Sequence, residues 1–147
     1  MGITRADARM LLEAGVRRPF EGDLLEFGRM TVYLTPTELD RWAGEEGYRL
    51  HPAEISLSLQ APAAAAGCLD DTAFFGRLGF DRVDSLDVDD YEGASFLQDL
   101  NQPLPERLHG QYDVVYESGT IQHVFDMPQV FRSIHAALKP GGRMIHG

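Results

Sequence analysis

Residues 112–147 restrict the fold more than any other stretch. They read Tyr112-Asp-Val-Val-Tyr-Glu-Ser-Gly-Thr-Ile-Gln-His-Val-Phe-Asp-Met-Pro-Gln-Val-Phe-Arg-Ser-Ile-His-Ala-Ala-Leu-Lys-Pro-Gly-Gly-Arg-Met-Ile-His-Gly147. The apolar run Tyr112 to Tyr116 predicts a strand buried on both faces, as at a sheet centre. A loop of small and polar residues follows. Asp126 stands before Met127-Pro128, so it can cap a helix that has proline in its first turn. Val130, Phe131, Ile134 and Leu138 predict the buried stripe of that helix. Lys-Pro-Gly-Gly then stops it, and a second strand begins. This is one α/β unit, and open α/β sheets bind ligands beyond the carboxyl ends of their strands.

The rest of the chain repeats the alternation. Ala6–Ala14 predicts a helix that Gly15 stops. Asp23 to Leu34 reads as a strand, a turn at Gly28 and a second extended piece. Thr35-Pro-Thr-Glu is a helix start with a capping box, and that helix runs to Gly44 or Gly47. Ser56-Leu-Ser-Leu alternates like a short strand, and Gln60 to Gly67 reads as a loop. Asp70 or Asp71 caps a short helix, Thr72 to Leu78, ended by Gly79. Asp81 to Asp87 and Ala94 to Asp99 read as strands, and Asn101 to Arg107 as a proline-rich loop. Strands alternating with helices predict an α/β fold with a mainly parallel, doubly wound sheet and helices on both faces.

Composition narrows the partners. The 147 residues hold 13 basic and 23 acidic side chains, a net charge of −10. No Lys/Arg cluster occurs, which argues against a nucleic-acid backbone as partner. No apolar run reaches the ~18 residues of a membrane span. The N-terminus lacks the apolar core of a signal peptide. Cys68 is the single cysteine, so an internal disulfide and a cysteine-built zinc site are excluded. A reducing, cytoplasmic setting is the expectation. His51, His109 and His146 form no ligand spacing, so no metal is expected. Oligomeric state is not legible.

Several residues at predicted strand ends can carry chemistry. Asp87 can accept two hydrogen bonds from vicinal hydroxyls, or it can belong to a solvated turn with Asp84, Asp89 and Asp90. Asp99 can accept from an amino group, or cap the turn before Asn101. Glu117 to Thr120 offers small residues that let a ligand approach, or a plain strand-to-helix connection. His123 is the candidate base, and a surface or capping histidine is the alternative. Gly28 stands alone in Leu25-Glu-Phe-Gly-Arg-Met, which is weak as a glycine-rich loop.

Together these segments resemble the class I S-adenosylmethionine-dependent methyltransferases, in the broad methyltransferase-domain group. The matching text is Tyr112 to Asp126 and Val130-Phe-Arg-Ser-Ile-His-Ala-Ala-Leu-Lys-Pro-Gly-Gly. The likeness runs in order over residues 20–147 and is densest over 81–147. It implies a Rossmann-like fold in one domain over 1–147, with 1–20 as an N-terminal helical extension. It also implies S-adenosyl-L-methionine as cofactor and a small-molecule acceptor. The implied cofactor contacts are Glu26 and Gly28 near the methionine moiety, Asp87 at ribose, and Asp99 with Leu100 near adenine. Glu117, Ser118 and Gly119 would lie near cofactor or acceptor.

Two departures accompany it. The family's acid and three glycines after the first strand are reduced here to Glu26-Phe-Gly28-Arg-Met, so Arg29 and Met30 would crowd the methionine moiety. The family's last strands have no counterpart before Gly147, so a fragment with an incomplete sheet is expected. A methyltransferase-like module that binds or scaffolds without catalysing is the alternative function.

Overall fold

A computed structural model describes residues 2–147. The elements, in order, are β1 (Gly2–Ile3), α1 (Arg5–Arg17), β2 (Asp23–Phe27), β3 (Thr31–Val32), α2 (Pro36–Glu46), α3 (Ala61–Ala65) and α4 (Asp71–Leu78). Then come β4 (Arg82–Asp87), β5 (Phe96–Leu97), β6 (Tyr112–Glu117), α5 (Met127–Ala137) and β7 (Leu138–His146). They form two compact units, one of residues 22–29 and 84–147, the other of residues 2–21 and 30–83.

The first unit holds a five-stranded sheet in the order β5-β4-β2-β6-β7. The pairs β4–β5, β2–β6 and β6–β7 are parallel. The fold is therefore the mainly parallel, Rossmann-like α/β architecture. The order reverses between β2 and β6, the position at which such sheets open a crevice. Leu25, Phe27, Leu86, Val115, Val130, Ile134 and Ala137 share one core in this unit. Asp126 caps α5 by accepting from the Gln129 N–H at 3.0 Å. The buried stripe of α5 is Val130, Ser133, Ile134 and Ala137, and cutting Ile134 back to Ala would cost about 2–5 kcal/mol. Phe131, predicted for that stripe, is 48% exposed. It stands about 100° round the helix from Val130, off the face that residues 130, 133, 134 and 137 turn inward. Leu138 already belongs to β7.

Lys-Pro-Gly-Gly does not precede the last strand but interrupts it. Tyr112 pairs with Leu138, whereas Val114 pairs with Arg143. Three extra residues are thus accommodated, with Gly141 at φ +80°. The predicted strand from Ala94 to Asp99 contracts to Phe96–Leu97, and Asp99 lies beyond its end.

The second unit contains the short parallel pair β1–β3 and helices α1 to α4. Thr4 and Thr35 each make a reciprocal capping box, with Asp7 and Glu38. Gly47, at φ +70°, ends α2. Gly15 does not stop α1, which runs on to Arg17. It is inside the helix because the Tyr48 ring rests on it, and a Cβ there would lie 2.4 Å from that ring. The segment predicted as a loop, 60–67, contains α3, and the strand predicted at Ser56–Leu59 is a single bridge, Leu57 to Leu69. Burial in this unit pushes the Cys68 thiol up, which removes the thiolate a nucleophile needs. Among the described residues no helix is long and apolar enough to cross a membrane.

Candidate functional site

The carboxyl ends of the parallel strands in the first unit meet around a cavity of about 210 Å³. Its walls come from four places. Gly28 follows β2. Leu86, Asp87 and Val88 end β4. Gln98 to Asn101 follow β5. Thr120, His123 and Val124 belong to the connection after β6.

Gly28 fixes the first wall. Its N–H donates to the Leu86 carbonyl at 2.8 Å, which ties the turn after β2 to the last residues of β4. Its φ of +83° is left-handed, a region that costs side-chain-bearing residues energy. The next residue continues the tie. The Arg29 N–H donates to Asp87 Oδ2 at 3.2 Å, and the Arg29 guanidinium donates to the Gly93 carbonyl. The Arg29 side chain is thus directed to the loop after β4.

Asp87 is held from two sides, since its Oδ1 accepts from the Val88 N–H at 2.7 Å. A carboxylate oxygen has two acceptor positions, so each oxygen keeps one after these backbone bonds. Asp99 is held differently. Its Oδ1 accepts from the Asn101 N–H at 2.9 Å and from Asn101 Nδ2 at 2.8 Å. These Asn101 donors hold its carboxyl below the usual carboxylate range, because they bond the charged form. Oδ2 is left to accept from something else. Asn101 does more: its Oδ1 accepts from the Asp126 N–H at 2.9 Å, so one amide joins the cavity wall to the start of α5.

The last wall is built from Glu117, which is fully buried at the end of β6. Its Oε1 accepts from the Thr120 N–H at 2.5 Å and the Ile121 N–H at 3.0 Å. Its Oε2 pairs with His146 Nδ1 on β7. Glu117 is not in the lining of the cavity, and both of its carboxylate oxygens have partners within the protein. Ser118 and Gly119 shape the turn and stand outside the lining. Glu26 is likewise fully buried within β2, in register with Tyr116, and does not line the cavity. A residue inside a central strand is covered on both faces.

His123 is exposed where it lines the cavity. Of the predicted site residues, the structure brings Gly28, Asp87, Asp99, Leu100 and His123 to one cavity. It adds Val88, Gln98, Asn101, Thr120 and Val124. Of these, Thr120 fell within the Glu117–Thr120 stretch that the sequence singled out, and the other four were passed over because loop residues carry no periodic signal. Asn101 had one usable clue, an amide two residues after an acid. No group of three or more His, Cys, Asp or Glu side chains with metal-holding geometry occurs among the described residues.

The site's geometry defines a class first: a Rossmann-like sheet with two acidic side chains on a strand-end cavity, suited to a ligand with hydrogen-bond donors on an apolar frame. The family follows from comparison. Residues 71–144 match the model of the methyltransferase domain, half of the chain, and the chain belongs to that family. Membership implies S-adenosyl-L-methionine as the cofactor. A solved structure from Methanococcus maripaludis, described as an S-adenosyl-L-methionine-dependent methyltransferase, is similar with a TM-score of 0.48 and 14% identity. The match covers 97% of this chain and 56% of that one, so this chain spans just over half of that protein's length. A comparison with curated proteins finds no match.

Proposed function

We propose that the strand-end cavity holds the adenosyl part of S-adenosyl-L-methionine and that the chain serves methyl transfer to a small-molecule acceptor. The observation that carries this reading is the pair Asp87, the last residue of β4, and Asp99, just past β5, which line one cavity. Both keep acceptor positions after their protein bonds, Asp87 on each oxygen and Asp99 on Oδ2. Asp87 would take the ribose hydroxyls and Asp99 the adenine amino group, with Leu86, Val88, Leu100 and Val124 against the base. A volume of about 210 Å³ is below the roughly 300–1,000 Å³ of sites that enclose a whole drug-sized ligand. It accommodates one portion of the cofactor.

When bound, the cofactor supplies an activated methyl on a sulfonium. The protein's share is to bind, to orient and to exclude water. The net charge of −10 favours a small acceptor over a phosphate polymer.

A specific observation favours the binding-module alternative. The α-carbon of Gly28, where a glycine loop would admit a ligand, is covered by the Thr120 side chain. Titration calorimetry with S-adenosyl-L-methionine separates the readings from failure of both. Binding that weakens about tenfold or more in Asp87→Asn supports the cavity. Binding without turnover of any acceptor supports the module. No heat at millimolar cofactor removes both.

A further inference from the structure

We propose that Glu117 is a positioning residue for the cavity: a buried carboxylate that sets the loop carrying Thr120, His123 and Val124 without touching ligand. This inference rests on the cavity being the cofactor site, and its test is arranged so that the two can fail separately.

Three observations carry it. Glu117 is fully buried, so its carboxylate would be costly to place there without partners. It has them on three sides: two successive amides of the loop, Thr120 and Ile121, and the His146 ring on the neighbouring strand. Its own carbonyl accepts from the Gly147 N–H at 2.9 Å, so β6, β7 and the loop converge on one residue. Second, the amides it holds belong to residues with distinct tasks. Thr120 places Oγ1 over Gly28 and lines the cavity, while Ile121 is 7% exposed and packs in the core. Third, the short 3₁₀ turn Ile121–His123 begins at these amides and has no side-chain cap of its own. Glu117 takes that part, from the strand instead of from the turn. A carboxylate bonded to backbone N–H groups is a strong, charge-assisted acceptor. The loop is therefore fixed by chemistry at its base, and His123 and Val124 follow from where the turn starts.

Two substitutions separate positioning from contact. Glu117→Gln keeps an oxygen for both amides and removes the charge. Glu117→Ala removes the acceptor. Hydrogen exchange over residues 118–124 is read together with calorimetric binding of S-adenosyl-L-methionine. The expected result is exchange at Thr120 and Ile121 faster by about tenfold or more in Glu117→Ala, with binding weakened by a similar factor. In Glu117→Gln both should return to within about threefold of the unsubstituted chain. Unchanged exchange in Glu117→Ala overturns the inference. So does a Gln variant with native exchange and lost binding, which would place the charge on the ligand. Should the Ala variant unfold, the near-isosteric Glu117→Met, which also removes the acceptor, is read in its place with the same expected and overturning results. Should the unsubstituted chain bind no cofactor, the exchange result still tests Glu117, while the cofactor reading fails.

Discussion

The Thr120 hydroxyl oxygen lies so close over the α-carbon of Gly28 that a Cβ built there would stand 2.2 Å away. The two residues come from different connections, one after β2 and one after β6. Gly28 is thus required twice, by its φ of +83° and by this contact. Gly28→Ala should lose at least about 2 kcal/mol, the sum of left-handed strain and overpacking. For a chain of this size that is a fall in Tm of about 5 °C or more. Adding Thr120→Ala should restore only the packing part, because the backbone conformation is unchanged. Thermal unfolding of the single and double variants checks this. Full recovery in the double variant would show that the backbone strain is negligible.

Asn101 governs how Asp99 titrates. Its two N–H donors bond the charged carboxylate and keep it below the usual range. In Asn101→Ala the side-chain donor is lost and the backbone donor stays, so the Asp99 carboxyl should titrate at higher pH than in the unsubstituted chain. Carbon-detected NMR of the Asp99 carboxyl measures the direction. An unmoved titration would mean the backbone N–H alone sets it.

Lys139 joins the amino ends of β2 and β6. Its Nζ is 2.7 Å from Asp113 Oδ2 and 3.3 Å from Asp23 Oδ2. Burial pushes the Asp113 carboxyl up, but the Lys139 hydrogen bond, the Asp23 N–H and the Lys139 charge outweigh it, and the net direction is down. A depressed carboxyl contributes stability above its unfolded pKa, about 3.9, and loses it as pH falls through the lower folded value. The hydrogen bond to Asp113 raises Lys139, so that contribution is present below about 10.4 and fades as pH rises through the folded value. With side chains 37% and 34% exposed, solvent holds the gain to no more than about 1 kcal/mol. Denaturant unfolding against pH should show Asp113→Asn flattening the acid limb and Lys139→Met the alkaline one. If neither limb changes in slope, the cluster contributes nothing to stability.

Two glycines inside helices should respond oppositely to alanine. Gly44 in α2 has open space where a Cβ would stand, so Gly44→Ala should stabilise by about 0.5–1 kcal/mol through helix propensity. Gly15 in α1 has the Tyr48 ring 2.4 Å and the Phe20 ring 3.0 Å from that position. Overpacking of about 1–3 kcal/mol outweighs the same propensity gain there. Urea midpoints should therefore rise for Gly44→Ala and fall for Gly15→Ala. A rise for both would show that Tyr48 moves aside at little cost.

The amino-acid sequence by itself determined what acts over a few residues. Thr35 with Glu38, Asp126 with Pro128, and the apolar run at Tyr112 to Tyr116 specify their helix starts and central strand through local hydrogen bonds and through burial of contiguous side chains. The alternation of such segments was enough for the parallel α/β class. Where a chemical group points, and what already occupies it, only the tertiary structure decided. Glu26, Asp87, Asp99 and Glu117 look alike along the chain, each an acid at or near a strand end. Folding covers Glu26 within the sheet, gives both Glu117 oxygens to loop amides and His146, and leaves Asp87 and Asp99 with acceptor positions toward the cavity. The reason is that a hydrogen bond saturates its acceptor, and the donors arrive from positions 1 to 58 residues away in sequence. No local pattern records which of them gets there first.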